Sequence, residues 1–115
     1  MYQNYITKGM LNTYQMFTYR TKDGEAYYKF SYHQTDYGYE IDIHQQPSYQ
    51  TRNKDLITTH RLPSNRDAEY SICVTLEYYP QNLEDAQKLS MEWAELTHTY
   101  IKTGITIDRQ IEMRN

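Results

Sequence analysis

The chain has 115 residues and carries 12 lysines and arginines against 15 aspartates and glutamates, a formal net charge of -3. This length suits one domain of common size, and the slightly acidic balance argues against a dominant polyphosphate partner. Cys73 is the one cysteine and cannot form an internal disulfide. No segment approaches the roughly 20 apolar residues that span a bilayer, and the N-terminus has no apolar run typical of a secretory signal. We therefore expect a single α+β domain over residues 1–115, located in the cytoplasm, with no membrane contact.

Residues 12–46 alternate between apolar and polar side chains and predict a three-stranded β-meander. Asp23-Gly24 is typical of a two-residue hairpin turn, and a second turn is expected around Asp36-Tyr37. Both turns place the same apolar side chains on one face of the sheet, which a one-residue slip would not do. The predicted opposite pairs are Phe17–Phe30, Tyr19–Tyr28, Tyr32–Ile41, Phe30–Ile43, His33–Glu40, Ser31–Asp42 and Lys29–His44.

Two further strands are predicted at residues 56–62 and 70–78, after a loop that contains Pro47. The second of these strands alternates cleanly, with Tyr70, Ile72, Val74, Leu76 and Tyr78 pointing inward. Pro80 is expected to end the strand pairing, because proline lacks the N–H group that a ladder needs.

A long amphipathic helix is predicted from Asn82, a good N-cap residue, to Lys102, with Gly104 just beyond its end. Trp93 lies on its apolar stripe and is expected to pack against the apolar face of the meander. Alternation resumes after Gly104 and predicts a final strand. The predicted fold class is thus α+β, with a mainly antiparallel β-sheet (a β-meander start, five strands, one long helix and a final strand) and the helix packed on one face.

The polar face of the meander, opposite the helix, is the first candidate for a functional surface. The chain has 14 tyrosines against 2 phenylalanines, and tyrosine offers a large contact area with a polar tip. We expect a small non-catalytic binding module that contacts a protein partner or a second copy of itself. The candidate partner-binding residues are Tyr14, Tyr27, Lys29, His33, Glu40 and His44.

A basic stretch between residues 49 and 66 supports an alternative function. Its cations could hold a nucleic-acid backbone or another anionic ligand, with nucleic acid the less favoured partner because acidic residues are interspersed. The candidate anion-binding residues are Arg52, Lys54, His60, Arg61 and Arg66.

A second alternative is a metal-dependent enzyme that uses histidines and carboxylates of the hairpin. Imidazole and carboxylate groups are usable zinc or manganese ligands, and the candidates are His33, Glu40, Asp42 and His44. The sequence has no HExxH spacing, and no serine has a Gly-x-Ser-x-Gly context. We therefore expect no catalytic residue, no cofactor and no resident metal.

Overall fold

The computed structural model describes residues 15–114. These residues form a five-stranded antiparallel sheet, with a long helix on one face and a short helix at the C-terminal end, which confirms the predicted α+β class. The strands lie in the order β1-β2-β3-β5-β4. The elements are β1 (Phe17–Arg20), β2 (Tyr27–Thr35), β3 (Gly38–Gln45), α1 (Leu56–Thr59), β4 (Arg61–Pro63), β5 (Tyr70–Ile72), α2 (Leu83–Thr103) and α3 (Ile107–Met113).

The meander has the predicted register over most of its length. Phe17 lies opposite Phe30, Tyr19 opposite Tyr28, Tyr32 opposite Ile41, and His33 opposite Glu40. A bulge between Lys29 and Phe30 shifts the pairing at the end of β3. Lys29 therefore lies opposite Gln45. The predicted Lys29–His44 pair is wrong, because the bulge places one extra residue in β3 between the partners of Phe30 and Lys29.

The strand predicted at residues 56–62 is wrong over its first half. Asp55 accepts a hydrogen bond from the backbone N–H of Thr58 at 2.9 Å and so caps the short helix α1. His60 then adopts a left-handed conformation with φ of 54°, and the chain enters β4. A local side-chain cap thus outweighs a loose alternation of apolar residues.

The strand predicted at residues 70–78 is shorter than expected. β5 pairs with β3 as far as Ser71 and with β4 as far as Ile72. On the β4 side the pairing ends because the neighbouring chain forms α1 before His60. A 3₁₀ turn follows at Leu76–Tyr78, and these side chains do not point inward. Without a partner strand, the backbone groups of this segment find their hydrogen bonds within a turn.

Helix α2 has the predicted limits. The Asn82 side chain accepts a hydrogen bond from the N–H of Asp85 at 2.8 Å, and Gly104 follows the last turn with φ of 81°. The predicted final strand is wrong, because Thr106 caps the helix α3 by accepting from the N–H of Arg109 at 3.2 Å. Within residues 15–114, no helix is both long and apolar enough to cross a membrane.

The core lies between α2 and the apolar face of the sheet. Trp93 of α2 packs edge-on against Tyr28 and Phe30, with ring centroids 5.9 and 6.1 Å away. Its indole N–H donates to the carbonyl of Thr59, at 3.1 Å, at the end of α1. The predicted contact of Trp93 with the meander is confirmed, and this side chain also ties α1 to the core.

Candidate binding pocket

The polar face of the sheet is organised around the buried side chain of Asp42. Its Oδ1 accepts hydrogen bonds from the hydroxyls of Ser64 at 2.9 Å and Ser71 at 2.6 Å, and its Oδ2 accepts from Arg66 Nε at 2.8 Å. Burial by itself raises the pKa of Asp42. Hydrogen bonds from His33, Arg66 and the two serines outweigh burial and hold this pKa well below its usual range.

Two histidines on this face share one serine. Ser31 Oγ lies 2.7 Å from His33 Nε2 and 2.6 Å from His44 Nε2. The same His33 nitrogen lies 3.3 Å from Asp42 Oδ2, whereas a nucleophilic triad uses the two ring nitrogens separately. Because Ser31 is also fully buried, this arrangement supports the sheet and offers no accessible nucleophile.

The proposed metal ligands on this face have other partners. Arg66 bonds Asp42 and also pairs with Glu40, with Nη1 2.8 Å from Oε1. Within residues 15–114, possible metal-ligating atoms come together in another group, formed by Asp23, Glu25 and His98. The ligand atoms of these three residues lie within 4.8 Å of one another.

The Asp23, Glu25 and His98 group already has a cation beside it. The Lys102 ammonium lies 3.4 Å from Asp23 Oδ2 and 3.0 Å from Glu25 Oε1. These carboxylates therefore have a protein counter-ion, and the group has the character of an ion-pair network.

The predicted partner-binding residues divide into two regions. Tyr27 and Lys29 are exposed at one end of the face, and the guanidinium of Arg20 lies 5.5 Å from the centre of the Tyr27 ring. His33 and Glu40 lie opposite each other and are half-buried, and His44, also half-buried, lies on β3 between the partners of Phe30 and Lys29. Tyr14 lies outside the described residues.

A polar pocket of about 700 Å³ opens beside the half-buried region. The end of β3, residues 46–50 and residues 67–70 form its walls, and His44 is one of the lining residues. Arg61 of β4 also lines this pocket although its residue is only 7% exposed. The strand order places β4 beside β5, which brings Arg61 to the same cavity as the loop after β3.

Every hydrogen-bond partner that Arg61 has among the described residues is neutral. Its Nε donates to Thr59 Oγ1 at 2.8 Å, Nη1 to Gln46 Oε1 at 3.3 Å, and Nη2 to the Lys54 carbonyl at 2.9 Å. None of the ion pairs formed within residues 15–114 involves Arg61. Buried charges in proteins are normally paired with an opposite charge, so this guanidinium lacks the partner that its burial calls for.

Aromatic rings enclose the same guanidinium. Its carbon lies 4.0 Å from the ring centre of Tyr70 and 4.8 Å from that of Tyr49, both in cation–π geometry. The buried hydroxyl of Tyr49 forms no hydrogen bond of normal geometry among the described residues. Burial raises the pKa of Tyr49, so its hydroxyl stays protonated at neutral pH and can donate a hydrogen bond.

The structure brings two of the five predicted anion-binding residues, Lys54 and Arg61, to this pocket. The other three have different partners: Arg52 donates to the carbonyls of Ile101 and Lys102 at the end of α2, His60 contacts Asp108, and Arg66 contacts Asp42 and Glu40. Sequence reasoning missed Gln46 and Tyr70 as pocket residues, because their separation along the chain gives no signal of contact.

The chain matches no protein-family model, no curated protein and no solved structure. The geometry of the pocket is therefore the basis for assigning a function.

Proposed function

We propose that this domain is a non-catalytic binding module that holds the anionic group of a small ligand against Arg61. The observation that carries the proposal is a buried guanidinium whose partners among the described residues are all neutral. Burying a polar group without a hydrogen bond costs roughly 2–7 kcal/mol, and burying an unpaired charge costs more. A bound carboxylate or phosphate would supply the missing negative charge.

The donor groups suit an oxyanion. A guanidinium has five N–H donors, and Arg61 forms three hydrogen bonds, which leaves two N–H groups without an acceptor among the described residues. The fork of an arginine matches the oxygens of a carboxylate or phosphate. The hydroxyl of Tyr49 interacts with Gln46 and Thr59, forms no hydrogen bond of normal geometry among the described residues, and adds a further donor in the same pocket.

The distribution of charge favours a small anion over nucleic acid. Arg52, His60 and Arg66 are each held by protein groups outside the pocket, so they form no continuous track for a phosphate backbone. Asp67 and Glu69 lie at the pocket and would repel a polyanion. Nucleic-acid affinity depends on neutralising many phosphates at once.

The test is the thermal stability of the protein in acetate, phosphate and chloride at equal ionic strength. A ligand that binds only the folded state raises the melting temperature, and we expect acetate or phosphate to do so more than chloride. Arg61→Gln should weaken this binding about tenfold or more, since hydrogen bonds to charged groups contribute about 1.5–3 kcal/mol.

The matched control is Arg109→Gln, which removes an exposed arginine whose partner is Glu112 at 3.2 Å, away from the pocket. It should bind anions like the wild type. If Arg61→Gln does not fold, Lys54→Gln provides the second variant, because Lys54 also lines the pocket. Because phosphate stabilises folded proteins in general, the proposal fails if the wild type gains no more stability from acetate or phosphate, relative to chloride, than the pocket variant gains.

A second candidate function is protein contact, including self-association, through the exposed end of the sheet face. It is supported by Tyr27, which is 48% exposed and has the Arg20 guanidinium over its ring, since tyrosine and arginine are enriched at interfaces. Sedimentation of the wild type and of Tyr27→Ser over a range of concentrations tests self-association. A wild type that stays monomeric at high concentration argues against it.

A further inference from the structure

The pocket contains negative as well as positive charge. Asp67 and Glu69 line the same cavity as Arg61, and both residues are exposed. Neither carboxylate is part of an ion pair within residues 15–114. Two cations, Arg61 and Lys54, and two carboxylates thus face one cavity without forming ion pairs across it.

We infer that the ligand is a small zwitterion, of the size of an amino acid or a short peptide with free ends. This inference rests on the proposed function. The carboxylate of such a ligand would meet Arg61 and the Tyr49 hydroxyl, and its ammonium group would meet Asp67 and Glu69, which line the same cavity. One molecule would then neutralise both unpaired sets of charges.

Ligands with one kind of charge satisfy only part of the pocket. A multiply charged anion such as phosphate would reach Arg61 only by approaching the two carboxylates, which repel it. A simple cation could pair with Asp67 and Glu69 but would leave the buried guanidinium without a negative partner. A zwitterion avoids both penalties.

The remaining lining is suited to the uncharged middle of such a ligand. Gln45, Gln46, Ser48 and Gln50 line the walls, and amide and hydroxyl side chains can both donate and accept hydrogen bonds. A peptide bond presents one donor and one acceptor, which these groups can pair. The volume of about 700 Å³ falls within the usual range of small-molecule sites.

The test compares alanine, dialanine and trialanine with their N-acetylated forms by isothermal titration calorimetry. Acetylation removes the ammonium charge and keeps the carboxylate, so the proposed function alone predicts similar binding of each pair. The inference predicts that at least one free-ended ligand binds about threefold or more tightly than its acetylated form, as expected for exposed ion pairs.

The double variant Asp67→Asn with Glu69→Gln is the matched control. Its stability should be close to that of the wild type, because both side chains are exposed. It should lose the preference for free-ended ligands and bind the acetylated forms at least as tightly as the wild type does.

Three outcomes separate the two ideas. Equal binding of free and acetylated ligands overturns the zwitterion and leaves the anion site standing. A preference that persists in the double variant also overturns the inference, since the ammonium would then be recognised elsewhere. The absence of binding by every ligand, acetate included, overturns both.

Discussion

Asp42 and Arg61 are both buried charged side chains, but only Asp42 has a charged partner among residues 15–114. The oxygens of Asp42 accept hydrogen bonds from Ser64, Ser71 and Arg66. Among the described residues, Arg61 has neutral partners alone. The first arrangement pairs opposite charges within the fold, and the second is the basis of the proposed anion site.

We expect Asp42→Asn to lower the free energy of unfolding by about 2–4 kcal/mol at neutral pH, because a neutral amide cannot accept all the hydrogen bonds that the buried carboxylate accepts from Ser64, Ser71 and Arg66. Chemical denaturation of both proteins measures this change. Asp36→Asn is the control, since Asp36 is exposed in the β2–β3 turn, and it should change stability by no more than about 0.5 kcal/mol. A similar loss in both variants would contradict the role given to Asp42.

The lowered pKa of Asp42 also sets the direction of a pH dependence. A carboxyl group whose pKa is lower in the folded than in the unfolded state contributes its full stabilisation above the unfolded pKa of about 4, and loses it as the pH falls below that value. The wild type should therefore lose more stability than Asp42→Asn on acidification from about pH 6 to about pH 3. Denaturation midpoints at several pH values measure the difference.

At the scale of elements, Gly38 begins β3 at a point where another part of the chain comes close. Its φ is 133°, and a Cβ atom there would lie 2.6 Å from the backbone oxygen of Pro80. That oxygen already accepts a hydrogen bond from the N–H of Tyr39 at 2.8 Å. The segment before α2 is thereby attached to the β2–β3 turn.

Gly38→Ala should cost more than about 2 kcal/mol of stability, because the backbone is in a conformation that alanine disfavours and the clashing atom is itself backbone. Gly104→Ala provides the comparison. Its φ of 81° also disfavours alanine, but the nearest atom belongs to the flexible side chain of Arg52, so about 1 kcal/mol is expected. Thermal or chemical unfolding ranks the two variants, and the reverse order would contradict this account.

The sequence predicted the elements whose boundaries carry local signals. The Asp23-Gly24 pair marked the first hairpin and its register, although the structure closes it with a four-residue loop between Thr21 and Ala26 and not with a two-residue turn. Asn82 and Gly104 marked the ends of α2. Prediction of secondary structure from the sequence failed where a short apolar run fits a strand and a helix equally well. Ile107 and Ile111 alternate as in a strand and also lie four residues apart, as on one face of a helix, so the Thr106 cap decides the outcome.

The pocket was only partly predictable for a different reason. Its basic residues were recognisable from the composition of the loop, whereas the enclosure of Arg61 depends on Tyr49 and Tyr70. These residues meet because β5 lies between β3 and β4. That spatial order of strands leaves no mark in the periodicity of the sequence.

At the scale of the whole molecule, Trp93 connects the long helix, the sheet and the end of α1. Its ring contacts Tyr28 and Phe30, and its N–H donates to the carbonyl of Thr59. The hydroxyl of Thr59 in turn accepts the hydrogen bond from Arg61 Nε. The packing of α2 therefore helps to position the guanidinium.

Trp93→Ala should lower the stability by about 3–5 kcal/mol, a large part of the 5–15 kcal/mol typical of a domain. Trp93→Phe keeps an aromatic ring in the core and removes the N–H, so a smaller loss of about 1–2 kcal/mol is expected. Thermal unfolding followed by circular dichroism compares the variants. A melting temperature of Trp93→Ala within a couple of degrees of the wild type would show that the helix does not depend on this contact.

The position of Trp93 also has an optical consequence. It is the one tryptophan of a chain with 14 tyrosines, and the ring of Tyr28 lies 5.9 Å from it. Excitation energy absorbed by a tyrosine passes to a nearby indole with an efficiency that falls steeply with distance. Light absorbed by the tyrosines of the folded chain should therefore emerge largely as indole fluorescence, and tyrosine emission should return on denaturation. The protein thus carries its own unlabelled reporter of whether the helix and the sheet are in contact.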